Sequence, residues 1–155
     1  MKTLKMNNLA KNTLTAVLVI VMFSVFESCS TESAFLTSSV VPAAEGSIKV
    51  KKDKNDNYSI NLKITRLADP SRLTPPKAVY ILWVESEQNA VKNIGQLKTS
   101  SGLLSRELSS SLSTISPVKP TGFFITAEDD ATIQYPGPIV VLKTRSDLKS
   151  ISYNQ

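Results

Sequence analysis

The sequence predicts an all-β fold: an antiparallel immunoglobulin-like β-sandwich of about seven strands, preceded by a signal-peptide helix and a flexible tether. Three observations carry that expectation. The run Ala78–Val84 is the most apolar stretch outside the N-terminus, holds the only tryptophan, Trp83, and lies between Pro75-Pro76 and Glu85-Ser86-Glu87. Such a run between turn signals reads as a central strand covered on both faces. Two earlier segments alternate apolar and polar residues with the period of a half-buried strand: Ile48 to Lys51, and Tyr58 to Thr65. Finally, short apolar runs recur at regular intervals through the rest of the chain, with prolines and polar turns between them. The expected boundaries are a leader over 1–28, a lipidated N-terminus and tether over 29–45, and the sandwich over 46–155.

The leader comes first. Met1–Asn12 carries three lysines and no acid, and Thr13–Phe26 is an apolar core. A basic segment followed by a short apolar one is the pattern of a secretory signal. At ~1.5 Å per residue the apolar core reaches roughly 21 Å, short of the ~30 Å hydrocarbon layer, so a spanning helix is the weaker reading. The core runs into Phe26-Glu27-Ser28-Cys29, which resembles the lipobox of bacterial lipoproteins. Ser28 fits the small residue of that motif and Glu27 departs from it. The resemblance implies acylation of Cys29, and Ser30 in place of an aspartate implies the outer membrane of a Gram-negative cell. Cys29 is the only cysteine, and a lone free thiol is unusual in an exported protein.

Ser30–Glu45 is rich in Ser, Thr and Ala without a period, and reads as a tether. The two alternating strands flank Asp53-Lys54-Asn55-Asp56-Asn57, a turn by composition, so a hairpin is expected. Oxygen ligands at Asp53, Asn55 and Asn57 hint at calcium, but Tyr58 and Ile64 stand where an EF-hand loop needs glycine and glutamate. A plain turn is therefore expected. Lys49, Lys51, Lys52 and Lys54 form a basic cluster, read as a solvated strand face, with an anionic lipid or polysaccharide contact as the sharper alternative. Ala68–Pro76 is a crossing loop, because its prolines remove ladder donors.

In the central strand Val79, Ile81 and Trp83 share one face and Tyr80, Leu82 and Val84 the other, with Trp83 read as core. Val91–Lys98 is a further strand whose Gly95 signals a bulge. Over Gly102–Ile115, leucines at helical spacing compete with crowded serines; the expectation is a short strand near Leu103–Leu108, then an irregular connection to Pro117 and Pro120. Ser105 with a lysine base has no supporting spacing. Gly122–Ala127 is a buried strand, Glu128-Asp129-Asp130 a solvated turn, and Thr132–Tyr135 and Ile139–Lys143 complete the set. Ser146–Gln155 adds an edge strand or frays.

Composition narrows the chemistry. Histidine is absent and net charge is +5. From Ser30 onward 15 Lys/Arg stand against 12 Asp/Glu, an ordinary surface and no nucleic-acid footprint. Without histidine or a second cysteine, a Ser-His-Asp site, a Cys-His site and imidazole or thiolate metal sites cannot be built. No cofactor, metal or catalytic residue is expected.

Four segments resemble the extracytoplasmic C-terminal domain of anti-sigma-K-type factors, a β-sandwich: Tyr80-Ile81-Leu82-Trp83-Val84, Gly95-Gln96-Leu97, Phe124-Ile125-Thr126-Ala127-Glu128, and Pro136-Gly137-Pro138-Ile139-Val140-Val141-Leu142. Asp129-Asp130-Ala131 replaces the Pro and glycines usual after Thr-x-Glu. The twelve residues before the apolar core are too few for the family's sigma-binding domain, so the resemblance implies the fold and not sigma-factor regulation. The function expected is that of a membrane-anchored, non-enzymatic interaction or sensing domain with an envelope protein or polysaccharide as partner. The alternative is a carbohydrate-binding module or an envelope hydrolase using Glu85, Glu87, Glu128 or Asp129, which requires two acids about 5–10 Å apart in a cleft. A third reading, an anti-sigma accessory protein, would place a signalling protein among its partners.

Overall fold

The computed structural model describes residues 30–87, 90–101 and 108–145. Cys29 with its leader, Ser105, most of the strand expected at 103–108, and the tail 146–155 lie outside the described residues. Nine strands run β1 (Thr31–Ala34), β2 (Glu45–Lys52), β3 (Tyr58–Thr65), β4 (Val79–Ser86), β5 (Val91–Leu97), β6 (Thr99–Ser101), β7 (Leu108–Ser116), β8 (Pro120–Glu128) and β9 (Val140–Lys143). They form two antiparallel sheets, ordered β1-β2-β3-β7-β6 and β5-β4-β8-β9. With β1 set aside, these orders are those of an immunoglobulin domain, A-B-E-D against C′-C-F-G. The all-β sandwich expected from the sequence is therefore the fold.

Alternation decides which residues meet between the sheets. Ile48 and Val50 of β2 and Tyr58, Ile60, Leu62 and Ile64 of β3 point inward and are buried. They pack on Tyr80, Leu82 and Val84 of β4 and on Phe123, Ile125 and Ala127 of β8. The turn after β2 is held by Asp53, whose Oδ1 accepts the backbone N–H of Asn55 (2.7 Å) and of Asn57 (2.9 Å). Asp56 completes the turn with φ 62°, a conformation that aspartate tolerates. Opposite the Leu82/Trp83 step the register slips, and Gly95 sits there with φ 146°. A Cβ on Gly95 would also come within 3.2 Å of Leu112 on β7, so the bulge brings the sheets close.

The central strand is covered on both faces. Its outer residues Ile81 and Trp83 join Phe124 in a second, smaller core under the segment 129–139, which supplies Ala131 and Ile133. Trp83 and Phe124 stack with centroids 6.2 Å apart, and Trp83 Nε1 donates to Thr126 Oγ1 at 2.7 Å. Asn93 Nδ2 fastens the cover by donating to the carbonyls of Ala131 (3.0 Å) and Ile133 (3.1 Å).

Three expectations are corrected. The segment read as a tether contains β1, which pairs with β2 from Thr31↔Val50 to Ala34↔Ser47, and it buries Ser38, Val41 and Ala44. A short edge strand is made by ladder hydrogen bonds alone, so it needs no apolar period. The connection expected before Pro117 is strand β7, paired with β3 over Tyr58↔Ser116 to Ile64↔Ser110. Its pattern hides because Ser110 faces inward and is buried, while Ile115 is 67% exposed. Thr132–Tyr135 is not a strand but part of the cover. Thr132 donates its backbone N–H to Asp130 Oδ1 at 2.7 Å, and Asn93 takes the neighbouring carbonyls.

Candidate binding face

The outer face of the five-stranded sheet collects polar side chains that lie far apart in the chain. Register sets Glu32, Lys49, Asn61 and Ser113 side by side across β1, β2, β3 and β7, and sets Ala34, Ser47, Lys63 and Ser111 in the next row. Within a row neighbours are about 4.8 Å apart and the rows about 7 Å, two residues along the strand. The first row is internally bonded. Lys49 Nζ lies 3.1 Å from Glu32 Oε2, and Ser113 Oγ donates to Asn61 Oδ1 at 2.7 Å. Ser47 Oγ reaches across to Glu32 Oε1 at 2.8 Å. The Ser47 hydroxyl, and then the Lys49 ammonium, hold the Glu32 carboxyl below its ordinary pKa. Among the described residues Lys63 forms no ion pair, so its ammonium stands available in the second row.

Two shallow hollows lie on this face. One of about 440 Å³ is lined by both rows. The other, about 520 Å³, lies where the chain leaves β1 and is walled by Phe35, Leu36, Pro42 and Ala44. They share Ser47 and Lys63. Hydroxyls and an amide both give and accept hydrogen bonds, and the ammonium only gives them. The face therefore suits a partner rich in oxygen acceptors. Phe35 alone among the lining residues is aromatic, so stacking is a minor part of any recognition.

The other candidates fall elsewhere. Cys29 and Ser105 lie outside the described residues. Of the basic cluster, Lys49 and Lys51 extend from the outer face of β2, and Lys52 pairs with Asp56 at 2.7 Å. Asp53 spends its carboxylate on the turn that joins β2 to β3. The four acids fall into two groups at opposite ends of the β4–β8 pair, Glu85 with Glu87 and Glu128 with Asp129, and three of them are each held by a different lysine. Glu85 pairs with Lys143 (2.8 Å), Glu87 with Lys119 (2.7 Å) and Asp129 with Lys77 (2.7 Å). Glu128 corrects the expectation of a solvated turn: it ends β8, is buried, and accepts the backbone N–H of Gly137 at 2.7 Å. Glu85 and Glu128 sit at opposite ends of the β4–β8 pair, some six residues or about 20 Å apart. That separation is too wide for the cooperating carboxylates of a glycosidase. Among the described residues no group of three acidic or thiol ligands is placed to hold a metal, and no helix is long and apolar enough to cross a membrane.

Sequence reading missed the two rows. Asn61, Lys63, Ser111 and Ser113 occupy the polar positions of alternating strands, which marks them as outward-facing and nothing more. Their juxtaposition depends on β3 pairing with β7, some fifty residues away, and no local signal announces it. In comparisons with family models, with curated proteins and with solved structures, none matches this chain.

Proposed function

We propose that the protein is a membrane-anchored extracytoplasmic lipoprotein whose sandwich is a non-enzymatic interaction or sensing domain, holding its partner on the outer face of the five-stranded sheet. One observation carries the reading: the pair of cross-strand rows, where hydroxyl, amide and ammonium groups from four strands meet over a trough. The lipobox-like Phe26–Cys29 and the apolar leader supply the anchor. The segments that resemble the anti-sigma-K domain lie on β4, β5, β8 and β9 and the cover, so that resemblance concerns the opposite sheet and its core. The hydroxyl and amide lining favours a polysaccharide as a second reading of the partner, the carbohydrate-binding alternative.

One experiment tests both parts. A photo-crosslinking amino acid is placed at Ser113 in cells fed an alkyne fatty acid. The expected result is a chain labelled with the fatty acid and crosslinked to an envelope protein. The adduct is absent when the crosslinker sits at Tyr135, and is reduced at least fivefold by Lys63→Glu. Label that persists in Cys29→Ala defeats the anchor, and equal crosslinking from Ser113 and Tyr135 defeats the face. A glycan adduct in place of a protein selects the carbohydrate reading.

A further inference from the structure

Cys29 precedes Thr31 by two residues, and consecutive Cα atoms are 3.8 Å apart, so its Cα lies within about 7.6 Å of the start of β1. Where the sequence alone leaves room for a tether, the fold leaves almost none. An acyl chain on Cys29 therefore fixes which end of the sandwich meets the bilayer. That end is defined by register: Thr31 pairs with Val50, Lys52 with Tyr58, Tyr58 with Ser116, and Ser86 with Pro120. It carries the β2–β3, β4–β5 and β7–β8 turns.

The chemistry of this end matches a lipid surface. Lys51, Lys52, Lys54, Lys92 and Lys119 crowd it, against Asp53, Asp56, Glu87 and Glu85, the last paired with Lys143. Asp56 and Glu87 are paired with Lys52 and Lys119, and among the described residues Lys51, Lys54 and Lys92 form no ion pair. Beside them stand exposed apolar side chains: Ile115 at 67%, Val91 at 38% and Val118 at 36%. Among the described residues the far end has no such excess: Glu45, Asp69, Asp129 and Asp130 stand against Arg66, Arg72, Lys77 and Lys98, and Glu128 is buried.

We infer that the end of the sandwich bearing the β2–β3 and β7–β8 turns docks directly on the anionic phospholipid surface to which Cys29 is anchored. Its unpaired lysines meet phosphates, and Val118 and Ile115 enter the headgroup layer. The inference rests on the anchor proposed above. Lysines near such a surface each strengthen attachment about fivefold, and small apolar insertions add to it. Docked this way, the sheets stand upright and the polar rows face sideways into the envelope, clear of the lipid.

The test uses the full acylated chain in vesicles of phosphatidylethanolamine with 30% phosphatidylglycerol. Acylation consumes the Cys29 thiol, so a single new cysteine is labelled uniquely. A fluorophore on Val118→Cys is compared with one on Arg72→Cys at the far end, each against headgroup nitroxide quenchers. Docking predicts strong quenching at position 118 and little at 72. It also predicts a docked-to-undocked ratio roughly twenty-five-fold lower in Lys51→Gln/Lys54→Gln, and a large fall in 0.5 M salt. Flotation with equal quenching at both positions, or with none, overturns the docking and leaves the anchor standing. Failure of the wild-type chain to float with vesicles overturns both. Quenching at 118 that appears only after envelope protein is added to the vesicles shows a protein partner in place of lipid and overturns the inference.

Discussion

Tyr80 turns its ring into the interior between the sheets and donates its hydroxyl to the Ala68 carbonyl at 3.0 Å. Burial, and secondarily the Asp69 carboxylate, pushes the phenol up to about 12. The sign of the consequence follows from linkage. Below pH 10 the phenol is neutral in folded and unfolded chains, so stability does not depend on it. Between about 10 and 12 the unfolded chain loses the proton and the folded chain keeps it, so stability falls as pH rises. Tyr80→Phe removes the ionisation as well as the hydrogen bond. Its cost at pH 8 is about 1 kcal/mol. By pH 11.5 the variant has closed that gap, because the wild type alone has lost a further ~1–2 kcal/mol to phenolate formation. Urea midpoints for both chains at pH 8 and 11.5 check this; parallel alkaline losses would contradict it. On the acid side, hydrogen bonds from Ser71 and Asn57 hold Asp69 and Asp53 below their ordinary values. What these carboxylates add is present above their unfolded pKa values and disappears as pH falls through the folded ones.

Among the elements, the cover over Trp83 shows how a loop is specified from outside itself. Residues 129–139 have strand-like apolar spacing at Ile133 and Tyr135, but Tyr135 is 85% exposed. The segment is held by Asn93 from β5 and by Glu128 from the end of β8. Asn93→Ala frees the carbonyls of Ala131 and Ile133, at a cost of about 1–2 kcal/mol. Trp83 is the chain's single tryptophan, so its emission reports on the seat of the cover. The variant is expected to show increased acrylamide quenching, faster amide exchange over 131–137, and unchanged exchange in β2 and β3. Unchanged quenching would mean that packing on Ile133 alone holds the cover. The contrast explains what was legible beforehand. Strands β2 and β3 announce themselves because each side chain's address, inward or outward, is written in alternate residues. Strands β4 and β8 do so because both faces are apolar. β1, β7 and the cover are set by ladder partners and by the distant Asn93 and Glu128, which leave no period, or at Ile133 and Tyr135 a misleading one, in the residues they hold. The binding rows share that fate: Lys63 is visibly an outward residue of β3, yet only the docking of β7 gives it Ser111 as a neighbour.

At the scale of the molecule, one cysteine means that no intramolecular disulfide joins the sheets, and burial has to hold them. The first strand adds a second device. After pairing with β2, the chain crosses to the other sheet: Phe35 bridges Thr144, and the Leu36 N–H donates to the Lys143 carbonyl at 2.9 Å. Phe35 meanwhile donates to the Gly46 carbonyl at 3.1 Å. Residues 31–36 thus seal the open edge of β2 and stitch it to β9. Replacing Thr31, Glu32 and Ser33 with glycine raises the entropy lost on forming β1 by ~0.5–1 kcal/mol per position, about 2 kcal/mol together. If the segment is a stitch, the amides of β2 and those flanking Lys143 become faster to exchange by the same factor, although 143 is more than a hundred residues from the change. If it is only an edge strand, β2 alone responds. Loss of the seal also bares a β2 edge with Ile48 and Val50 behind it, so sedimentation is expected to reveal concentration-dependent dimers. A monomeric variant with protection intact at both edges would show that the interior alone holds the two sheets.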